Sequence, residues 1–138
     1  MRTEKILTIL LRVSAGVLLL ALIPIFFPHA WMAAINRKIG LGELPDTAIV
    51  GYLTRSLSAV YAFHGVLALC MSFDIGRFLP LIICFASASM ALGVLLLSLD
   101  IYLNMPLPWI IGEGPGIIVF YAAILALAVY LNRRITRA

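Results

Sequence analysis

The chain has 138 residues, of which 64% are hydrophobic and 12% are charged, and its formal net charge is +4. A soluble domain carries about 25% charged residues, so this composition excludes an ordinary water-soluble protein. The length favours a single domain over residues 1–138. The basic residues lie mostly near the chain ends, which indicates membrane topology rather than nucleic-acid binding.

Four long apolar runs make up most of the sequence: Ile6–Phe27, Ala48–Phe73, Phe78–Leu99 and Gly116–Leu131. About 20 helical residues are enough to cross the hydrocarbon core of a bilayer. We therefore predict an all-α polytopic membrane protein, a four-transmembrane-helix bundle. The apolar pattern places its helices at about residues 6–28, 47–73, 78–103 and 116–132.

The first run is predicted to be a retained helix rather than a cleaved signal peptide. It is longer than the apolar region of about 7–15 residues in signal peptides, and Arg12 interrupts it. Arg12 is expected to reach the cytoplasmic interface or to pair with Asp74. Pro24 removes a backbone hydrogen bond and is expected to kink the helix near its outer end.

The segments between the four apolar runs also contain residues that predict local structure. Trp31–Lys38 is typical of a short helix on the outer surface, and Asp46 or Thr47 can cap the second span. The turn after Phe73 is so short that the second and third spans must be antiparallel neighbours. Pro80 is expected in the first turn of the third span, and the Pro- and Gly-rich segment 104–115 is expected to be a rigid, non-helical loop.

Orientation follows from the distribution of Lys and Arg. With both termini in the cytoplasm, that side holds six basic residues: Arg2, Lys5, Arg77, Arg133, Arg134 and Arg137. The other side holds only Arg37 and Lys38 in its loops. This bias predicts a bacterial inner (plasma) membrane protein with cytoplasmic N- and C-termini.

Arg55 is the most informative polar residue, because it lies eight residues into the second run, about 12 Å along a helix. A charge at that depth is costly unless it is paired or hydrated. Counted from a turn at about residue 75, Asp100 on the third span lies only about 7 Å further out than Arg55. The spacing therefore predicts an Arg55–Asp100 ion pair.

Two interpretations of Arg55 remain open. In the first, Arg55 reaches towards the interface and Asp100 is an interfacial charge or a lock between helices. In the second, the two residues belong to an outward-facing polar pocket that holds an anionic or carbonyl head group. A second carboxylate and three further side chains from the outer segments are candidates for the lining of that pocket: Glu113, Tyr102, Asn104 and Trp109.

His64 and Ser87 are candidates for a polar core in the lower half of the bundle. A bond from His64 to a hydroxyl or backbone carbonyl of the next helix is the more ordinary role; a proton relay or metal ligand is the alternative. His29 lies at a different depth from His64, so a bis-histidine haem is not expected. We predict no cofactor and no metal. Cys70 and Cys84 are expected to be buried free thiols.

Three segments carry a resemblance to a known family: Leu44-Pro45-Asp46, Tyr52-Leu53-Thr54-Arg55-Ser56-Leu57-Ser58, and Asn104-Met105-Pro106 with the following Gly112-Glu113-Gly114-Pro115. They resemble small, uncharacterised bacterial four-helix membrane proteins that are broadly DoxX-like. The likeness covers residues 28–116 best. It implies the four-helix fold, but it implies no agreed activity and no catalytic residue.

Two functional hypotheses follow. The first is binding of a lipid-like small molecule, such as a quinone, isoprenoid or phospholipid, in an outer-leaflet polar pocket. The alternative is a non-catalytic accessory or assembly subunit of a larger membrane complex, or a small oligomeric transporter. The expected partners are membrane lipids, a small apolar ligand, and a membrane protein or further copies of the chain. No motif demands an enzyme.

Overall fold

A computed structural model describes residues 2–136, so Arg137 lies outside the described residues. Seven α-helices occur in that part of the chain: α1 (Arg2–Leu19), α2 (Leu22–Ile25), α3 (His29–Lys38), α4 (Ala48–Met71), α5 (Ile75–Tyr102), α6 (Leu107–Gly112) and α7 (Gly114–Thr136).

Four stretches are long and apolar enough to cross a membrane: Arg2–Ile25, Ala48–Met71, Ile75–Tyr102 and Leu107–Thr136. Large apolar side chains are widely exposed along them, among them Val17, Leu57 and Val119. Exposing so many apolar side chains to water would be energetically unfavourable, whereas contact with lipid is favourable for them. The predicted all-α class with four membrane spans is confirmed, and the protein is an integral membrane protein.

The first span is broken one turn before Pro24, as its sequence predicted. A proline clashes with the carbonyl four residues earlier and cannot bond to it, which here concerns Leu20. The Leu20 carbonyl instead accepts a hydrogen bond of 3.1 Å from the Ile23 amide. Continuous helix therefore stops at Leu19, and α2 adds a single further turn.

Two expectations about proline are wrong. Pro80 lies inside α5 rather than in its first turn, because Asp74 caps the helix earlier by accepting from the Arg77 amide at 3.0 Å. The segment 104–115 is not free of helix, since it contains α6. Pro108 lies in the first turn of α6, where a missing amide hydrogen removes no helical bond.

Helix ends follow ordinary capping rules elsewhere. Thr47 caps α4, with its hydroxyl accepting from the Val50 amide at 3.4 Å, as expected. Asn104 ends α5 in a left-handed conformation with φ +54°, and the Met105 amide reaches back to the Asp100 carbonyl at 2.9 Å. This i to i−5 bond is the signature of a Schellman motif, in which Asn is a favoured alternative to Gly.

The chain forms two compact units, and α1 and α4 contribute to both. Unit 1 comprises residues 1–12 and 68–138. Its core contains Leu7 and Leu11 of α1, Ile82 of α5 and Ile124 of α7, all fully buried. The α5–α7 packing is close because Gly93 and Gly114 have no side chain to separate the two helices.

The surroundings of Arg12, Cys70 and Cys84 in unit 1 differ from those expected from the sequence. Arg12 places Nε 3.4 Å from the Ser72 hydroxyl and its guanidinium 5.8 Å from the centre of the Phe73 ring, whereas a pairing with Asp74 was one of its predicted roles. Cys70 and Cys84 are free thiols, but both are exposed rather than buried. A thiol behaves as a small apolar group, so exposure towards lipid costs little.

Unit 2 comprises residues 13–67, which include the C-terminal part of the first span, α3 and most of α4. Gly65 of α4 is buried, and a Cβ there would lie 3.1 Å from the Ala15 carbonyl oxygen and from Leu18 Cβ. A glycine at this position lets α4 approach α1 closely.

We predict that Gly114→Ala destabilises unit 1, because the new Cβ would lie 2.6 Å from Leu97 Cβ and 3.0 Å from Leu97 Cα. Forcing the helices apart should lower the free energy of unfolding by about 1–3 kcal/mol. Gly116→Ala is the matched control, since nothing lies within 4 Å of its new Cβ. The measurement is thermal unfolding in mild detergent, and equal midpoints for the two variants would contradict the prediction.

Candidate functional site

The Arg55 guanidinium donates to three backbone carbonyls of unit 2. Nε donates to Ile25 at 3.1 Å, Nη2 to Phe27 at 3.2 Å and Nη1 to Gly51 at 3.0 Å. Two of these carbonyls lie at the end of the first span and one belongs to α4 itself. Arg55 is half-buried, and these bonds replace part of the hydration that a charge loses in a membrane.

The Ile25 and Phe27 carbonyls are available because of local sequence. Carbonyls in the last turn of a helix have no intrahelical partner, and α2 ends at Ile25. Pro28 follows and has no amide hydrogen to offer. The positive guanidinium also lies at the negative end of a helix, which is electrostatically favourable.

A cleft of about 430 Å³ opens beside Arg55 within unit 2. The residues that line it come from α3, from the loop before α4 and from the first turns of α4: His29, Asp46, Thr47, Ala48, Gly51, Tyr52 and Arg55. His29 Nε2 lies 3.3 Å from the Pro45 carbonyl oxygen and 3.9 Å from Asp46 Oδ1. The cleft therefore combines a cationic donor with an exposed carboxylate.

Donors remain at this cleft after the carbonyls are satisfied. A guanidinium has five N–H donors. Arg55 uses three of them in the described part of the chain. The remaining N–H groups can serve a carbonyl, carboxylate or phosphate oxygen.

Asp100, Glu113 and Trp109 form a second polar cluster, which lies in unit 1. Asp100 is 6% exposed, and its Oδ2 has no hydrogen-bond partner among the described residues. Glu113 lies near the Trp109 side chain and is close enough to Asp100 for their charges to interact. Trp109 and Glu113 also line a shallow cleft of about 280 Å³. The sequence assigned these three residues to one candidate pocket with Arg55, and that pocket stays a prediction.

Tyr102 and Asn104, the other two predicted pocket residues, have surface positions in unit 1. Tyr102 is 80% exposed at the end of α5. Asn104 is exposed, and its left-handed backbone gives it a role in ending α5. Helix termination accounts for Asn104 without any ligand.

His64 and Ser87, the candidates for a polar core, lie in different units. His64 Nδ1 is 2.8 Å from the Val60 carbonyl oxygen one turn earlier in α4, and its ring packs edge-on against Phe63. Ser87 is exposed. A bond within its own helix meets part of the polar requirement of His64. Among residues 2–136, no group of three or more His, Cys, Asp and Glu is arranged to hold a metal ion.

Sequence reasoning found Arg55 but missed its carbonyl partners and the cleft residues His29 and Asp46. The signal was present in Pro24 and Pro28, because prolines this close leave carbonyls without amide partners. The predicted Arg55–Asp100 ion pair joins residues of different units and stays a prediction.

No family model, no curated protein and no solved structure matches this chain. The four membrane-length apolar helices that the DoxX-like resemblance implied are present. The family itself stays a prediction.

We predict that Arg55→Ala lowers the free energy of unfolding by about 3 kcal/mol, because it leaves the Ile25 and Phe27 carbonyls without their donor. Arg37→Ala is the control, since its 3.5 Å contact with Glu43 is exposed and is worth about 0–1 kcal/mol. Thermal and chemical unfolding in detergent give both values. Equal losses in the two variants would show that the carbonyl bonds contribute little.

The Arg55–Asp100 ion pair has its own test in a double-mutant cycle of Arg55→Gln and Asp100→Asn. If the pair forms, the double variant should be more stable than the sum of the single variants predicts, by about 1 kcal/mol or more. The same unfolding measurement supplies all four stabilities. Additive effects would contradict the ion pair and leave Arg55 with its carbonyl partners.

Proposed function

We propose that the protein binds the polar head of a lipid-like small molecule, such as a quinone, an isoprenoid or a phospholipid, at the Arg55 cleft. The observation that carries this proposal is a half-buried guanidinium that keeps N–H donors beside a cleft of about 430 Å³. A purely structural arginine would need only its carbonyl partners. In hydrocarbon surroundings, donors left over are costly unless water or a ligand satisfies them.

The lining of the cleft favours a head group with two kinds of polar atom. The Arg55 N–H groups require an acceptor, such as a quinone carbonyl or a phosphate oxygen. Asp46 is 86% exposed and an ionised carboxylate only accepts, so it suits a hydroxyl or ammonium group. A molecule that carries an acceptor and a donor a few ångströms apart satisfies both.

The outer surface of α4 supports a lipid-like tail on that head group. Ile49, Tyr52 and Leu53 lie on one face of α4 by their i, i+3, i+4 spacing, and each is more than half exposed. Tyr52 belongs both to this face and to the cleft. An apolar tail can therefore leave the cleft along α4 without crossing water.

The membrane side of the cleft is part of the proposal. In this proposal the start of α4 lies at the outer leaflet of a bacterial inner membrane and both termini are cytoplasmic, which the Lys and Arg distribution supports. A ligand would then reach Arg55 by lateral diffusion in that leaflet. An accessory subunit of a larger complex is the alternative outcome, and it needs no occupied cleft.

Gly51→Ala tests the proposal without removing Arg55. The new Cβ would lie 3.1 Å from Arg55 Nη1, so the mobile end of the guanidinium must shift within the cleft. Replacing a helical glycine also favours the helix by up to about 1 kcal/mol, so the fold should survive. We expect the affinity for a co-purified or added lipid-like molecule to fall about tenfold, the equivalent of one charge-assisted hydrogen bond.

Gly16→Ala is the matched control, because it adds the same methyl to a helix of the same unit with nothing within 4 Å. Native mass spectrometry of the protein extracted in mild detergent would compare retention of a short-chain quinone, an isoprenyl phosphate and phosphatidylglycerol. Lower retention in Gly51→Ala alone supports the cleft. Equal retention in both variants, or a stoichiometric protein partner with no bound small molecule, would contradict it.

A further inference from the structure

A second groove lies in unit 1, between α5 and α7. Six of its lining residues share one face of α7, spaced three or four residues apart: Ala122, Leu125, Ala126, Val129, Tyr130 and Arg133. Met90 of α5 forms the opposite wall. The two alanines make the groove, since their small side chains leave about 370 Å³ between longer neighbours.

The length of this groove matches one leaflet of a bilayer. Ala122 and Arg133 are 11 residues apart, which is about 16 Å along a helix. Half of a hydrocarbon core about 30 Å thick is about 15 Å. An acyl chain lying in the groove would therefore run parallel to α7 and span its leaflet, with its head group at Arg133.

The charge at the end of the groove selects the head group. Arg133 lies at the polar end of the lining and Arg134 follows it, and the sequence has no acidic residue after Glu113. Arg134 does not itself line the groove, and its guanidinium lies 4.9 Å from the centre of the ring of Tyr130, a lining residue. Arg133 is thus the cation at the groove, and a phosphate is its natural partner.

We propose that this α5–α7 groove is a binding site for an anionic phospholipid of the surrounding bilayer, with one acyl chain between Met90 and the α7 alanines and the phosphate on Arg133. The groove is separate from the Arg55 cleft, since its residues come from unit 1 alone. Lipid binding here would hold the basic end of α7 at the membrane surface.

Two pairs of variants separate the head-group and acyl-chain contacts. Arg133→Gln and Arg134→Gln remove the same charge from adjacent exposed positions, but only Arg133 lines the groove. Ala126→Leu and Ala123→Leu add the same bulk to exposed alanines of α7, but only Ala126 lines the groove. All four positions are exposed, so the fold should be retained, and circular dichroism checks this.

The measurement is a native mass spectrometry titration of the full chain with phosphatidylglycerol and with phosphatidylcholine of the same acyl length. We expect Arg133→Gln to bind phosphatidylglycerol about fivefold more weakly than Arg134→Gln does. Ala126→Leu should weaken binding of both lipids, while Ala123→Leu should leave it unchanged. Equal losses in the two arginine variants, or equal binding in the two alanine variants, would overturn the proposal.

Discussion

The carbonyl groups of Ile25 and Phe27, at the end of the first membrane span, have no helical amide partner and accept hydrogen bonds from Arg55 instead. Hydrocarbon offers no hydrogen bonds, so backbone groups freed at a helix break must be satisfied by the protein. Pro24 and Pro28 create the break, and Arg55 supplies the donors from another helix. From the sequence alone, Arg55 is a charge whose burial is energetically unfavourable. In the folded protein it donates to two backbone carbonyls whose burial without a partner would also be unfavourable.

The same arginine gives the protein its best candidate for a binding group. A lysine would offer three donors without a planar arrangement, whereas the guanidinium can hold the helix end on one side and present N–H groups to a cleft on the other. In the proposed binding site this side chain would be structural and functional at once. It also means that removing Arg55 cannot separate the two roles, whereas crowding it from Gly51 can.

The sequence predicted the fold well because hydropathy and run length decide which segments enter lipid, and four such segments are present. Thr47 and Pro24 acted as the cap and the break that their chemistry implies.

The α6 helix was missed because its prolines suggested a loop, although Pro108 falls in a first turn where proline is well tolerated. Asn104 was assigned to a pocket, but its left-handed conformation ends α5. The carbonyl partners of Arg55 were not predicted because they are backbone groups. Which backbone carbonyls lack a helical partner is known only when the ends of the helices are known.

The central claim is that Arg55 is bound to backbone carbonyls and still offers donors to a lipid head group. Side-chain ¹⁵N NMR of arginine-labelled protein in nanodiscs tests it directly, by comparing spectra with and without total lipid extract from the host membrane. We expect hindered rotation of the Arg55 guanidinium in both samples and a shift of its Nη signals only with lipid, while the signals of the exposed Arg37 are unchanged. Freely rotating Arg55 signals, or signals that do not respond to the lipid extract, would contradict it.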